Sequence, residues 1–173
     1  YGELGTQYHL QDALGIAAGL HEYFRNSDLY FMANYAQTVN VIGCIKTSKT
    51  DACFDTTGLV LQLYRKEFGI LPVKIDTECK PLDVSAAISA DRKTLTLGVV
   101  NPTPDPKSLN LKVNGVQGLG SGKCWKIVGN DKMAANVPGE EPGVRIIEES
   151  IPSSPESITV DPISVTLFAF EIR

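Results

Sequence analysis

FMANYAQTVNVIG, residues 31–43, sets three amides (Asn34, Gln37 and Asn40) into an otherwise apolar run. Together with the two residues before it, the segment LYFMANYA (29–36) is apolar at nearly every position. An apolar run without alternation reads as a strand buried on both faces, the pattern of a parallel sheet. Gln37 then lies at or just past the C-terminal end of that strand. In a β/α barrel this end faces the active site, where a neutral amide can both donate to and accept from a sugar hydroxyl. The competing reading of Gln37 is a buried amide satisfied by neighbouring backbone. Asn34, three residues earlier, falls on the opposite face of the strand and is expected to be structural. Asn40 caps the next segment or pins the loop. The following TVNVIGCIKT (38–47) fits extended and helical patterns equally.

Working outward, YHLQDALGIAAGLHEYFR (8–25) predicts an amphipathic helix. Leu10, Ala13, Leu14, Ala17, Leu20 and Phe24 share one stripe at helical spacing. Gly15 and Gly19 cost helix propensity and mark close packing, and Asn26-Ser27-Asp28 ends the segment. On the other side TGLVLQLYRKEF (57–68) predicts a second helix with Leu59, Val60 and Leu63 inward, and Gly69 at the C-terminal cap. Helix, apolar strand, excursion, helix is an α/β rhythm. One strand makes no parallel sheet, so residues 1–71 are expected to be the end of a larger α/β domain, with strand 29–36 pairing to strands of another segment or chain.

From Pro72 to Arg173 the apolar residues alternate instead. DVSAAIS (83–89), TLTLGVV (94–100), SLNLKVN (108–114), CWKIV (124–128), VRIIEES (144–150) and SVTLFAFEI (164–172) are candidate strands. Turn-rich stretches such as ADRK, NPTPDPK, VPGEEPG and PSSPES separate them. This half predicts an antiparallel β-sandwich whose last strand is central.

Composition closes several routes. A net charge of −4 with no Lys/Arg cluster offers nothing to nucleic acid, and no apolar run is long enough to span a membrane. The cysteines Cys44, Cys53, Cys79 and Cys124 form no CxxC pair, so they read as buried free thiols of a reducing compartment, which leans to the cytoplasm. A Cys44–Cys53 disulfide is the alternative. His9 and His21 are not at a metal-ligand spacing, and His21-Glu22 reads as a surface pair. GLGSGKCW (118–125) lacks the order of a phosphate-binding loop. No metal or cofactor is implied. A glycoside hydrolase needs two carboxyl groups. Asp12 reads as a helix N-terminal charge and Glu3 as a loop residue, so no catalytic residue is assigned. The chain opens YGELGTQYHL, without Met or a signal-peptide pattern, and is expected to start partway through a longer protein.

The segment LQDALGIAAGLHEYFRNSDLYFMANYAQTVNVIG closely resembles the late barrel region of glycoside hydrolase family 51, the α-L-arabinofuranosidases. The matching motifs are Asp12-Ala13-Leu14, Arg25-Asn26-Ser27-Asp28, and Met32 through Val41. TTGLVLQLYRKEFGILPV (56–73) resembles the helix and crossover that follow, and ITVDPISVTLFAFEIR (158–173) the closing strand of the C-terminal domain. The resemblance is strong over residues 10–72 and weaker beyond. It implies the end of a (β/α)8 TIM barrel over 1–71 and a jelly-roll-like sandwich over 72–173. It also implies retaining hydrolysis of terminal α-L-arabinofuranosyl groups through two glutamates. Neither glutamate motif is present, and Tyr1 falls just downstream of where the nucleophile motif ends. The carboxylates, and the rest of the barrel, are therefore expected from another segment or chain, and the assembled enzyme is expected to be a homo-oligomer. One site residue carries over: Gln37, as a contact to the arabinose. A second reading is a non-catalytic carbohydrate-binding or accessory sandwich module, and a third a general interaction module. MANYAQTVNV has no purpose in either.

Overall fold

Period-two alternation turns into a six-stranded antiparallel sheet in the computed structural model, which describes residues 4–152 and 155–173. The elements run α1 Leu10–Arg25, β1 Ile45–Thr47, β2 Ala52–Phe54, α2 Thr56–Glu67, β3 Leu71–Val73, β4 Asp83–Ile88, β5 Thr94–Asn101, β6 Lys107–Asn110, β7 Leu119–Gly129, β8 Val144–Ile151, β9 Ser157–Val160 and β10 Ser164–Ile172. The sheet order is β3-β4-β5-β10-β7-β8. The closing strand is central, as its apolarity predicts: Val165 lies between Val100 and Ile127, and Phe168 between Leu97 and Cys124. At the β7–β10 contact the backbones approach so closely that a Cβ on Gly122 would stand 2.1 Å from the Ala169 carbonyl oxygen.

Alternation gives the sheet two apolar faces, and both are covered. Val100, Trp125, Ile127, Val165 and Leu167 pack under α1 and α2, against Leu10, Ala13, Leu14, Ala17, Val60 and Leu63. Leu95, Leu97, Val99, Phe168 and Phe170 face the other way, towards Ile158 and Val160 of the two-stranded β6–β9 sheet. Each fully buried aliphatic or aromatic side chain stabilises by about 1.5–3 kcal/mol. The second layer is thus β on one face and helical on the other. The strand expected over 108–114 is extended only as Lys107–Asn110.

Both helices form within two residues of their predicted limits. His9 caps α1, its backbone N–H donating to Asp12 Oδ2 at 2.7 Å, so Asp12 serves the helix terminus. The expected barrel strand does not form. Residues 29–36 contain no strand, and Leu29, Tyr30, Phe31 and Met32 stand exposed. A strand buried on both faces is held by neighbours on both sides, and no described residues supply them. The end of a β/α barrel is accordingly not part of this fold. Instead the chain turns at Asn40 and Val41, both in the left-handed region (φ 53° and 48°), and enters the short β1–β2 hairpin. His21, expected at the surface, is fully buried. The four cysteines are free, which removes the Cys44–Cys53 bond, but the burial expected of all four holds only for Cys124; Cys44, Cys53 and Cys79 are half-buried. Among the described residues no helix is long and apolar enough to cross a membrane.

Candidate functional site

Gln37 is exposed at the head of a loop whose every turn is tied down. Its peptide with Ala36 is cis. Behind it the Thr38 carbonyl accepts from Ile45 N–H at 3.0 Å, and Asn40 N–H donates to the Ile45 carbonyl at 2.8 Å. The Asn40 side chain completes the pin: Oδ1 accepts from Thr47 N–H at 2.9 Å and Nδ2 donates to Thr47 Oγ1 at 3.0 Å. The loop-pinning role expected of Asn40 is therefore what the structure contains, and an asparagine also tolerates the left-handed backbone better than a branched residue. Gly43 is required by contact, because a Cβ there would meet Thr38 C and Val39 N at 2.7 Å. Asn34 is exposed, and its amide donates to Met32 Sδ at 3.3 Å.

Beneath the loop sits a buried ionic group. Lys46 is 1% exposed and Asp55 fully buried, with Nζ and Oδ2 3.8 Å apart. Lys46 Nζ donates to the Val41 carbonyl at 3.0 Å, and Thr6 N–H donates to the same oxygen at 2.7 Å. Asp55 caps α2 through Thr56 N–H at 2.8 Å and accepts from Tyr8 N–H at 3.2 Å. Burial pushes the Asp55 carboxyl above its ordinary range, against these hydrogen bonds and the Lys46 charge. The Tyr8 hydroxyl, which donates to the Ile42 carbonyl at 3.0 Å, is pushed up to about 12, first by burial and then by its neighbour Tyr35.

A second polar cluster joins α1, α2 and β4. His21 Nδ1 lies 2.5 Å from Asp83 Oδ1 and Nε2 lies 2.6 Å from the Tyr64 hydroxyl. Arg25 donates to both Asp83 oxygens at 3.1 Å. Carboxylate, imidazole and hydroxyl stand in the order of a nucleophile relay, but the imidazole and the hydroxyl that would have to meet a reactant are buried. His21 is wholly buried, and even a Cβ on Gly98 would come within 2.6 Å of both Nε2 and the Tyr64 oxygen. The cluster is a lock between helices and sheet. Burial lowers the His21 pKa, opposed by Asp83. Burial alone would raise Asp83; the bonds from His21 and Arg25 outweigh it and hold the carboxyl at about 2. Burial raises the Tyr64 hydroxyl above its ordinary range.

Of the residues singled out from sequence, Gln37 and Asn40 meet in this loop, while Glu3 and Tyr1 lie outside the described residues. Lys46, Asp55 and Asp83 were missed, and His21 was placed at the surface. Two of these four left a trace of their true place: Asp55 precedes Thr56-Thr57 at an N-cap position, and His21 continues the buried stripe Leu10, Leu14, Ala17. Among the described residues no group of three or more His, Cys, Asp or Glu side chains is placed to hold a metal ion.

The chain is similar to known proteins over most of its length. Residues 1–164 match the model of the alpha-L-arabinofuranosidase C-terminal domain. Probable alpha-L-arabinofuranosidase C of Aspergillus niger is 29% identical over 152 residues, covering 78% of this chain and 29% of that protein. The Aspergillus flavus counterpart is 29% identical over 161 residues, covering 83% and 31%. The alpha-L-arabinofuranosidase of Thermotoga maritima, solved as an arabinose complex, superposes with a TM-score of 0.86 at 26% identity, over 98% of this chain and 40% of its own. That of Thermotoga petrophila gives 0.84 at 27% identity, over 96% and 39%. The chain thus spans about three-tenths of the curated relatives and about two-fifths of the solved ones. By the extent of the first match, it belongs to the alpha-L-arabinofuranosidase C-terminal domain family.

Proposed function

We propose that this chain is the C-terminal part of a retaining α-L-arabinofuranosidase that removes terminal α-L-arabinofuranosyl groups from arabinose-containing glycans. Both catalytic glutamates come from another segment or chain, and this part contributes Gln37 as a contact to the sugar. One observation carries the reading. Leu29, Tyr30, Phe31 and Met32 on one side of Gln37, and Val39, Val41 and Ile42 on the other, are all at least 44% exposed. Large apolar side chains left exposed in such number along one segment mark an interface. The catalytic part of the enzyme covers it, and the exposed amide between the two apolar arms then faces the sugar at the seam. Two carboxyl groups are what retaining hydrolysis demands, and a neutral amide beside them can orient a hydroxyl without disturbing their charge.

The test is Gln37→Ala in the catalytically complete enzyme. The expected result is a fall in kcat/KM of about ten- to a hundredfold, from a lost hydrogen bond and poorer positioning, with little change in melting temperature. A large fall in melting temperature with unchanged specific activity on an arabinofuranoside would overturn the sugar contact.

A further inference from the structure

We propose that Lys46 is a positioning residue for the sugar-contacting amide. Its buried ammonium holds the Val41 carbonyl and so fixes the loop that sets where Gln37 stands; the inference rests on the reading of Gln37 given above. A buried ammonium is costly unless it is paired and hydrogen-bonded. The obvious explanation for Lys46 is neutralisation of Asp55. The geometry points elsewhere. Lys46 Nζ is 3.8 Å from Asp55 Oδ2, beyond hydrogen-bond distance, whereas it is 3.0 Å from the Val41 carbonyl oxygen. Asp55 meanwhile spends its two oxygens on Thr56 and Tyr8 N–H groups. The hydrogen bond of the ammonium goes to the loop, and the carboxylate supplies the balancing charge.

The surroundings fit that purpose. The Tyr8 ring faces the ammonium at 5.3 Å from its centroid, and its hydroxyl holds the next carbonyl, that of Ile42. Gly5 leaves room for the same loop, since a Cβ there would stand 2.2 Å from Val41 Cα. Val41 itself is a β-branched residue at φ 48°, a conformation such residues avoid unless the environment imposes it. Strain of this kind persists only where neighbours over-determine the backbone, and it gathers at functional sites. Val41 is four residues from Gln37, and Thr38, which follows Gln37, is bonded to Ile45 beside Lys46. Removing the ammonium leaves Thr6 N–H, at 2.7 Å, as the other donor to the Val41 carbonyl, so the turn stays in place but loosens at Val41, and the amide four residues away is held less precisely.

The experiment is a double-mutant cycle in the catalytically complete enzyme, read as kcat/KM on an arabinofuranoside. Gln37→Ala, Lys46→Met and the double variant are compared, with melting temperatures on the same preparations. Lys46→Met is expected to lower kcat/KM about tenfold in the parent enzyme, the scale of a displaced substrate contact. In the Gln37→Ala background it is expected to add less than about twofold, because the group it positions is gone. A purely structural lysine would cost the same factor in both backgrounds, and that result, or no effect in the parent, overturns the proposal. Should Lys46→Met fail to fold, Lys46→Met with Asp55→Asn replaces it, removing both charges while an asparagine keeps the α2 cap. A silent Gln37→Ala is a different failure: it removes the sugar contact itself, and the positioning role with it.

Discussion

The central strand β10 and the segment 29–43 are both strongly apolar, yet they are ordered by opposite means. Strand β10 has a partner on each edge and a layer on each face, so Val165, Leu167 and Phe170 are completely buried. Segment 29–43 has no strand partner along its first half among the described residues, and Phe31 is 97% exposed. Its second half is fixed by hydrogen bonds and one buried ammonium. Apolarity in sequence therefore says that a residue needs cover, and only topology says whether this chain supplies it.

The comparison breaks most visibly at Phe170. Phe170→Ala removes a wholly buried ring stacked on Phe168 at a centroid distance of 5.9 Å. It should cost about 3–5 kcal/mol by denaturant unfolding of the 173-residue chain, the range for aromatic-to-alanine changes in a core. A cost below about 1 kcal/mol would show that β10 is not the structural centre.

Next in size is the lock that fastens the helices to the sheet. The Asp83 carboxyl is held at about 2, below its ordinary value of 3.8. Its contribution is fully present above pH 3.8 and is lost as pH falls through about 2. With a third of the side chain open to water, screening leaves about 1–2 kcal/mol. His21 is also lowered, from 6.5, because its charged form is buried. The unfolded chain then binds the more protons, so stability begins to fall below about pH 6.5, before Asp83 titrates. Unfolding free energy measured from pH 7 to 2 should decline in two stages, and Asp83→Asn should flatten the lower one. An unchanged profile in that variant would refute the lock.

What could be read in the sequence follows from the same contrast. The sandwich strands were legible because each carries its own alternation, and the central place of β10 because that strand is so strongly apolar. Helix α1 was legible from its stripe, although His21 belongs to that stripe and was taken for a surface residue; a polar side chain on an apolar face reveals its partners only when Asp83, sixty-two positions later, is brought beside it. Strand 29–36 was misread because local apolarity is the same whether the cover comes from within or from outside the chain. Lys46 was invisible for a related reason. Its acceptor is a backbone carbonyl at a left-handed turn, and nothing in the residue types announces that turn.

The smallest stability effect is expected where apolarity is greatest and burial least. Phe31→Ser, on a 97% exposed side chain, should change the unfolding free energy of the chain by no more than about 0.5 kcal/mol, since surface substitutions away from special features fall in that range. The same change should act strongly on association. Phe31 with its neighbours Leu29, Tyr30 and Met32 forms one arm of the strip assigned to the catalytic part, and removing a large aromatic from the centre of an interface is where binding energy concentrates. The two measurements pull apart three explanations of the exposed run. A stability loss of several kcal/mol would mean that the segment is buried within this chain and that the contrast with β10 is false. No effect on either stability or assembly would mean that the strip faces water and the catalytic part docks elsewhere. Unchanged unfolding with weakened assembly and reduced hydrolysis is the outcome that follows from a segment covered by another part of the enzyme, because only then does the serine meet a partner surface rather than solvent.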